Sequence, residues 1–370
     1  MKKNYMNGSA FFLVLLMFFS IKGIAQLNLP RGSQKAKVTQ QIGITDITIS
    51  YSRPAVKDRA VWGELVPYGM NNLGFGTAKE SPWRAGANEN TVIKFTDDVL
   101  IEGKPLSAGK YGLHMIVYED NKATVIFSEN YDAWGSYFYE PSEDALRVDV
   151  ITKEIPHTEE LTYLFTMVEP NSAIASLNWE KKQIPFRIEV DVTEIVLSDI
   201  RHKLQNSPGF NRQTWEQAAN FSLNNDGDLD EALEWINAAI EGQFFSEKNF
   251  NNLSTKSKIL AKQGKAAEAD LIMDEALKFA TIFEVHGYGR QLIAQGKKEK
   301  ALEVFKMNAK NYKGQWPVDY GLARGYSAMG DYKRALKHLK IAAQRAPDQQ
   351  NKDVIATNII KLENGEDINS

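Results

Sequence analysis

The sequence predicts a two-part protein of mixed β and α class, in which an antiparallel β-sandwich is followed by a solenoid of paired α-helices. Apolar residues alternate with period two as far as residue 192, the period becomes helical after residue 200, and glycines recur in the second half at intervals of 32 to 37 residues. These patterns place the sandwich at 26–192, a connecting helix and loop at 193–211, four helical repeats at 212–349, and a capping helix and tail at 350–370.

The first 25 residues are predicted to be a signal peptide. Lys2 and Lys3 form a basic start, residues 10–19 form an unbroken apolar run, and Ala25 lies at a small-residue cleavage site. The apolar run is too short to span a bilayer, which needs about 20 residues. We therefore expect an exported chain, periplasmic or secreted, that begins at Gln26 after cleavage.

Composition narrows the class of protein further. The chain has no cysteine, which excludes disulfides, a thiolate nucleophile and thiolate metal sites, and export without cysteine favours a bacterial periplasm. The net charge of −3 becomes −6 when Lys2, Lys3 and Lys22 are removed, which disfavours nucleic acid as a partner. The mature length exceeds what one hydrophobic core usually covers, so two domains are expected.

Five apolar sets with period two predict strands of the sandwich, each set on one face of its strand. The sets are Ile47, Ile49 and Tyr51; Tyr111, Leu113, Met115 and Val117; Ala123, Val125 and Phe127; Leu161, Tyr163, Phe165 and Met167; and Ile184, Phe186, Ile188 and Val190. Turn signals at 119–122, 169–172 and 180–182 predict antiparallel hairpins. No helical pattern interrupts the strands, which disfavours a parallel α/β sheet.

The helical repeats are predicted from four glycines in register, Gly227, Gly264, Gly296 and Gly330. Small or polar residues follow five and twelve positions later, at Ala232, Ala269, Ala301 and Ala335 and at Ala239, Ala276, Asn308 and Ala342. Glycine permits a tight turn between helices, and alanine lets neighbouring helices approach closely. The copy at 316–347 resembles a tetratricopeptide (TPR) repeat and the other three are degenerate; an unrelated helical bundle with coincidental glycines is the alternative.

The connecting helix is predicted at 193–205. Its apolar residues Ile195, Val196, Ile200 and Leu204 form one stripe, which we expect to pack on the sandwich or on the first repeat pair. The repeats themselves are expected to dock a protein partner, since concave surfaces of helical solenoids commonly do so.

The first part of the chain also resembles a known family. The stretches ISYSRPAVKDRAVWGELVPYG, WRAGANENTVIKF, LSAGKYGLHMIVYEDNKATVIFS, AWGSYFYEPSEDALRVDV and LNWEKKQIPFRIEV look like the DUF2911 family of exported, mainly Bacteroidetes proteins. The resemblance covers about residues 28 to 192 and also fits a subgroup in which helical repeats follow the family domain. It implies the fold and the compartment but no established activity, so the chemistry has to be argued from side chains.

Two loops carry the candidate ligand-binding residues. The loop before the strand at 91–96 carries Trp83, Arg84, Asn88 and Glu89, and an earlier loop carries Arg53, Arg59, Trp62 and Glu64. If the adjoining strands are neighbours, the loops meet in a pocket for a glycan or a small anionic ligand, with no cofactor or metal. Arginine suits carboxylate or phosphate, asparagine and glutamate suit hydroxyls, and tryptophan suits a ring face. Alternatively, Arg84 pairs with Glu89 or Glu64 and the tryptophans only fill the sandwich.

A binding protein without catalytic activity is the favoured function, and the catalytic residues of any enzyme stay unknown. The alternative is a periplasmic hydrolase of glycans or esters, with Glu64 or Glu89 as acid or base and Arg84 as anion clamp, which predicts shifted carboxylate pKa values inside one cleft. A third hypothesis leaves the sandwich purely structural. Common hydrolase and nucleotide motifs are missing from the sequence. His114 and the aromatic stretch 132–144 are each compatible with packing or with a site.

Overall fold

The computed structural model describes residues 29–370, so the predicted signal peptide lies outside the described residues. The chain forms two compact units, Met1–Val192 and Thr193–Ser370. In the described part of the first unit the regular structure is almost entirely strand, and in the second unit it is helical. Among residues 29–370 no helix is both long and apolar enough to cross a membrane.

Ten strands form the described part of the first unit. They are β1 (Gln34–Ile42), β2 (Thr45–Arg53), β3 (Thr91–Phe95), β4 (Val99–Ile101), β5 (Lys104–Leu106), β6 (Gly109–Val117), β7 (Lys122–Ser128), β8 (Asp144–Ile151), β9 (Lys153–Glu169) and β10 (Ser172–Glu189). One sheet has the order β1-β2-β3-β6-β7-β8 and the other β5-β4-β10-β9, and neighbouring strands are antiparallel throughout. The predicted antiparallel strands are therefore confirmed.

The core of the first unit lies between the apolar faces of the two sheets. Ring contacts join them directly: Tyr51 of β2 meets Tyr163 of β9 with 4.8 Å between centroids, and Phe127 of β7 meets Phe186 of β10 at 5.9 Å. Burial of each such side chain stabilises the fold by about 1.5–3 kcal/mol. This arrangement fits the predicted sandwich.

A β-bulge occupies the position where the sequence predicts a turn, at 180–182. Strand β10 runs without a break through this segment, but its register against β9 shifts on both sides of Glu180, which has a left-handed φ of 52°. Between Asn178 and Lys182 the partner on β9 moves from Thr162 to Glu154, so the additional residues of this irregularity lie on β9. The left-handed Glu180 changes the side-chain parity of β10. The buried apolar residues are therefore odd-numbered before the bulge, as at Leu177 and Trp179, and even-numbered after it, as at Ile184 and Phe186. The turn prediction was wrong because three consecutive charged residues can occur at a bulge within a strand as well as at a turn that reverses the chain direction.

The predicted inward face of β9 also ends early. Leu161 and Tyr163 are buried, but Met167 is 68% exposed. Its φ of 47° breaks the alternation just before the hairpin to β10, so the last predicted apolar position faces solvent.

The second unit contains ten α-helices in the described residues. They are α1 (Val192–Leu204), α2 (Arg212–Asn224), α3 (Leu229–Ile240), α4 (Phe250–Lys262), α5 (Ala266–Ala276), α6 (Ile282–Ala294), α7 (Lys298–Asn311), α8 (Trp316–Ala328), α9 (Tyr332–Arg345) and α10 (Gln349–Glu363). Helices α2 to α9 form four consecutive pairs, each joined at one of the four recurring glycines. The fold is a strand-rich part with antiparallel sheets followed by TPR-like helical repeats.

The small residues of the repeat pattern all lie in the helical core. The alanines at 232, 269, 301 and 335 are 0 to 5% exposed, and residues 239, 276, 308 and 342 are fully buried. Their small size lets paired helices approach closely. Asn308 is the polar member of the set, and its Nδ2 donates a hydrogen bond to the carbonyl of Ile282 at 3.0 Å.

Three of the four recurring glycines have the left-handed backbone that the pattern predicts. Gly264, Gly296 and Gly330 have φ of 82°, 76° and 77°. At the first pair the left-handed residue is Asp226 instead, with φ 55°. Gly227 is needed there for space, because a Cβ would lie 2.5 Å from the Oγ of Ser222.

Helix α1 packs on the first repeat pair. Leu197 is buried in the same apolar cluster as residues of α2 and α3, and Ile200 and Leu204 pack against that cluster. The stripe therefore centres on Leu197, and not on the predicted Ile195 and Val196, which are only half-buried. At the other end of the unit, α10 covers the last pair through Ile355 and Leu362.

Substitution of alanine for glycine should have opposite effects at two sites in the repeats. A Cβ at Gly330 or at Gly287 meets no atom within 4 Å, but only Gly330 has positive φ, whereas Gly287 lies inside α6. We expect Gly330→Ala to lower the free energy of unfolding by about 1 kcal/mol through backbone strain. Gly287→Ala should raise it by about 0.5–1 kcal/mol through helix propensity. Urea denaturation of both variants checks the signs; equal shifts would contradict the role of Gly330 in the turn.

Candidate functional site

Three tryptophans form an aromatic cluster at the candidate site. Trp83 stacks on Trp179 of β10 with 5.8 Å between ring centroids and 16° between planes. Trp62 lies edge-on to both, at 5.8 and 6.0 Å. Hydrogen bonds in both directions between the backbones of Trp83 and Met115, at 2.9 and 2.8 Å, attach the loop to β6. The cluster therefore joins a loop held by one sheet to a strand of the other.

The loop before β3 is held in a compact shape by its own turns and by side chains from both sheets. Ala85 and Asn88 have left-handed φ of 49° and 62°. The carbonyl of Ala85 accepts hydrogen bonds from the hydroxyls of Thr91 at 3.0 Å and Tyr163 at 2.9 Å. Such a loop presents its remaining side chains from a fixed position.

A cleft of about 370 Å³ lies beside this cluster. Its size is near the lower end of the range for small-molecule sites. It is lined by apolar and neutral polar groups together with two arginines: Ser33, Pro54, Arg59, Leu65, Val66, Pro67, Asn71, Leu73, Ser81, Pro82, Trp83, Arg84, Gly86, Ala87, Asn88, Ser136 and Trp179. The indole Nε1–H of Trp179 is buried and has no acceptor among residues 29–370, so a cleft-lining residue holds an unsatisfied donor.

Arg84 is positioned by the loop that follows β7. Its Nη1 donates to the carbonyl of Asn88 at 2.7 Å, and its guanidinium lies 5.0 Å from the ring centroid of Tyr137. The guanidinium also passes so close to Gly135, whose φ is 70°, that a Cβ there would be 2.2 Å from Cζ of Arg84. A side chain at 135 would displace the guanidinium of Arg84 from this position, and the left-handed φ also favours glycine.

The structure brings four of the eight predicted ligand residues to the cleft and leaves four outside its lining. The four that line it are Arg59, Trp83, Arg84 and Asn88, and the four that do not are Arg53, Trp62, Glu64 and Glu89. The two predicted loops therefore do meet, although each contributes only some of its candidates.

Two of the residues outside the lining form contacts that hold strands and loops together. Arg53 donates to the carbonyl of Leu161 at 3.0 Å and to Oγ1 of Thr162 at 2.8 Å, and it lies 3.2 Å from Glu160. These bonds tie β2 to β9. Trp62 packs against the other two tryptophans of the cluster, which is the packing role that the alternative hypothesis gave to the tryptophans.

The two glutamates of the hydrolase hypothesis do not meet in the cleft. Glu64 is exposed in the segment between β2 and β3. Glu89 lies 2.5 Å from Arg31 and 3.2 Å from Lys35. Partial burial acts to raise the pKa of Glu89, but its hydrogen bonds, chiefly to Arg31, and the charge of Lys35 outweigh that effect, so the pKa lies below the ordinary value. A carboxylate held ionised in this way is poorly suited to be a general acid.

His114 is buried on the outer face of β6. Its Nδ1 lies 2.9 Å from Oγ of Ser136, and its ring packs against Tyr139, with 5.6 Å between centroids. Burial and, secondarily, the charge of Arg84 lower the pKa of His114 to about 4. The imidazole is therefore neutral at pH 7, and its contacts are those of a packed histidine beside the cleft.

In the aromatic stretch 132–144 some aromatic side chains are buried and others are exposed. Tyr139 is 5% exposed and packs with Ile116 and Ile126 on the outer face of the first sheet. Trp134 and Phe138 are 53% and 43% exposed, and Phe138 contacts the exposed Phe75 with 6.0 Å between centroids. Part of the stretch thus covers the sheet, and part adds apolar surface next to the residues that hold Arg84.

Several cleft residues gave no signal in the sequence. Trp179 lies on β10, nearly a hundred residues from Trp83. Because a bulge follows it, the alternation of the later apolar residues of β10 does not predict that Trp179 points inward. Asn71, Ser81 and Ser136 come from loops whose composition marks only turns. The one usable clue was the set of prolines at 54, 67 and 82, which predicts a rigid connection between β2 and β3. Among residues 29–370 no group of three His, Asp or Glu side chains is arranged to hold a metal ion.

A second cavity, of about 590 Å³, lies in the helical unit. Its lining carries three basic side chains, Arg290 of α6, Lys298 of α7 and Arg324 of α8, and one acidic side chain, Asp367, with Asn369 and Ser370 beside it. Those last residues are bound to α8: Ser327 donates to Asp367 at 2.7 Å, and Asn369 donates to the carbonyl of Arg324 at 3.0 Å. The cavity therefore has one firmly held wall and a basic opposite side.

Residues 33–188 match the DUF2911 family. The family is described as "Protein of unknown function (DUF2911)". The match runs from just before β1 to one residue before the end of β10, slightly less than the 28–192 expected from sequence. Every described residue that lines the 370 Å³ cleft falls inside the DUF2911 match.

Comparison with solved structures finds TPR proteins. The chain is similar to YrrB, described as a TPR protein with an unusual peptide-binding site, at 17% identity and a TM-score of 0.29 over 45% of this chain and 84% of that one. It is also similar to the C-terminal part of a TPR repeat-containing protein from Cytophaga hutchinsonii (15% identity, TM-score 0.34) and to a tetratricopeptide repeat protein from Parabacteroides merdae (17%, 0.30). These two matches cover 47% of this chain and 66% of each other chain, just under two thirds. No curated protein matches the sequence.

Burial of His114 should make the DUF2911 part of the protein acid-sensitive. Its folded pKa of about 4 lies below the ordinary value of 6.5, so protons bind the unfolded chain preferentially and stability falls as the pH drops through this interval. Between pH 7 and pH 5 the loss is about 2 kcal/mol. His286 in the helical unit has a pKa lowered to about 4 by burial and by Arg324, so the contribution of His114 must be isolated by substitution.

The measurement is the melting temperature from pH 7 to pH 5 for the native protein, His114→Gln and, as control, the exposed His157→Gln. We expect a shallower decline for His114→Gln alone, even if its melting temperature at pH 7 is lower. Parallel curves for all three proteins would contradict a neutral buried His114.

Proposed function

We propose that this chain is an exported, non-catalytic binding protein, in which the DUF2911 domain holds a small polar ligand in its cleft and the helical repeats dock a protein. The observation that carries the proposal is the convergence of Arg59, Trp83, Arg84 and Asn88 on one cleft beside a stacked pair of tryptophans. Concave sites with apolar walls and a few convergent polar groups are the usual form of small-molecule sites. Export to the periplasm or beyond is part of the proposal and rests on the N-terminal sequence alone.

Binding is favoured over hydrolysis by the groups that line the cleft. Hydrolysis of a glycan would need two carboxyl groups on opposite sides of the bond. The described lining contains no Asp or Glu, and the two candidate glutamates lie elsewhere. The cleft is therefore suited to hold a glycan or a small metabolite, but residues 29–370 place no acid and base pair there to cleave it.

The protein-docking role is proposed for the basic cavity of the repeats. Arg290, Lys298 and Arg324 come from three helices that follow one another along the solenoid. Repeat solenoids use such surfaces, shared by several repeats, to bind extended segments. The charges suit an acidic segment of a partner protein.

Ligand binding should depend on the side chain of Asn88. Asn88→Gly removes the amide while glycine retains the left-handed φ of 62°, so the loop should keep its shape. A thermal-shift screen of the mature chain with glycans, organic acids and phosphates identifies the ligand, which at 100 times its Kd should stabilise the protein by about 2.7 kcal/mol. We expect Asn88→Gly to weaken binding about 3- to 10-fold.

Asn121→Gly is the matched control, because Asn121 also has φ 62° but lies in the β6–β7 hairpin outside the cleft lining. Equal affinity for the ligand in both variants would place its binding site elsewhere. The absence of any ligand from a broad screen would favour a purely structural DUF2911 domain.

The docking surface can be tested by charge reversal. Arg290→Glu changes an exposed side chain of the basic cavity, and Lys306→Glu makes the same charge change on α7 outside its lining. We expect a partner protein, recovered by crosslinking from the native periplasm, to be lost with Arg290→Glu and retained with Lys306→Glu, since like charges at an interface cost several kcal/mol. Retention by both variants would move the docking surface to another face of the repeats.

A further inference from the structure

The arginines of the DUF2911 cleft differ from other arginines of the same unit in their partners. Arg147 and Arg187 each form an ion pair with a carboxylate, Asp144 and Glu189 respectively. Arg59 donates to the carbonyls of Val56 at 2.9 Å and Ala55 at 2.5 Å, and Arg84 donates to that of Asn88. Backbone carbonyls satisfy N–H groups and fix the guanidinium, but they carry no net charge to neutralise it.

No carboxylate of the described residues compensates these two charges. Neither Arg59 nor Arg84 has an Asp or Glu oxygen of residues 29–370 within ion-pair distance, and the described lining of the cleft contains no acidic residue. Glu89, on the same loop as Arg84, is instead engaged by Arg31 and Lys35. The cleft therefore carries two guanidinium charges that no carboxylate of the described residues neutralises.

The charge of Arg84 also acts on its surroundings. It contributes, after burial, to the lowered pKa of His114, which lies behind Ser136 of the lining. A partly buried cation with low-dielectric walls attracts anions more strongly than a solvated one. A bound anion would thus relieve an electrostatic cost that the unliganded protein bears.

The remaining walls favour a flat ligand body. Two tryptophans and three prolines line the cleft, Trp83, Trp179, Pro54, Pro67 and Pro82. Aromatic and proline side chains are rigid, and they present flat apolar surfaces at little entropic cost. Neutral donors and acceptors at Asn71 and Asn88 complete the lining with groups that suit hydroxyls.

We infer that the DUF2911 cleft selects a ring that bears a carboxylate, with Arg84 and Arg59 supplying the counter-charge and the tryptophan and proline walls contacting the ring. This inference rests on the proposed ligand-binding function and adds the charge class of the ligand. Arginine recognises planar carboxylates through two parallel hydrogen bonds, which a lysine cannot reproduce. A sugar acid and an aromatic acid share this chemistry.

The test uses two matched pairs of compounds with the mature protein. Glucuronate is compared with glucose, and benzoate with benzyl alcohol, by calorimetric titration at low salt and at millimolar ligand concentrations. We expect the acid of at least one pair to bind at least about 10-fold more tightly than its neutral counterpart, and added salt to weaken that preference. The pair that responds distinguishes a sugar acid from an aromatic acid.

Variants locate the preference in the cleft. Arg59→Gln and Arg84→Gln should each reduce the acid's affinity about 10-fold, whereas Arg187→Gln makes the same charge change at an ion-paired, half-buried site outside the lining and should leave it unchanged. Arg84→Lys keeps the charge and serves as a second variant in case Arg84→Gln does not fold. It should bind the acid more weakly than the native protein does and more tightly than Arg84→Gln does.

Three results would overturn the inference while leaving ligand binding intact. The first is equal or tighter binding of the neutral member in both pairs. The second is a ligand from the broad screen that is neutral or cationic and loses affinity in Asn88→Gly. Acid binding that survives in both Arg59→Gln and Arg84→Gln would also overturn it. If no compound of either the pairs or the screen binds, the proposed function fails together with the inference.

Discussion

The stacking of Trp83 on Trp179 is the contact on which the first unit's cleft depends. Trp83 belongs to a loop attached to β6 of the six-stranded sheet, and Trp179 belongs to β10 of the four-stranded sheet. Because the stacked pair lies between elements of both sheets, it fixes the loop before β3 relative to β10. The bulge at Glu180 makes this possible, since it allows Trp179 and the later apolar residues of β10 to point to the same side despite their different parity.

A second constraint is the uncompensated charge beside that stack. Gly135 leaves space for the guanidinium of Arg84, Tyr137 supports it, and the carbonyl of Asn88 orients it. These contacts hold the cation firmly and leave it without an acidic partner among the described residues. Proteins that need an arginine only for stability usually pair it, as this chain does at Arg53 and Arg187. The contrast supports the proposal that the cleft binds a ligand, because its polar groups suit recognition better than proton transfer.

The helical unit is stabilised by a different principle, in which each pair of helices buries its stripe against the next pair. Fully buried small residues, such as Ala232 and Ala335, set the distance between helices, and left-handed glycines such as Gly330 close the turns. At the first pair Asp226 supplies the left-handed residue, and Gly227 is needed only for space beside Ser222. In the other three turns a Cβ on the glycine would meet no atom within 4 Å, so glycine is needed there only for its left-handed φ.

The sequence by itself determined the secondary-structure classes, the helical repeats and the resemblance to DUF2911, because period-two and helical apolar patterns and recurring glycines are local signals. Of the eight site residues that the sequence suggested, four line the cleft, among them Arg84 and Asn88. Only the tertiary structure decided that Arg53 and Glu89 form ion pairs outside the cleft, that Trp179 lines it, and that 180–182 is a bulge. These outcomes depend on which distant groups meet across two sheets, and no local pattern encodes such pairings.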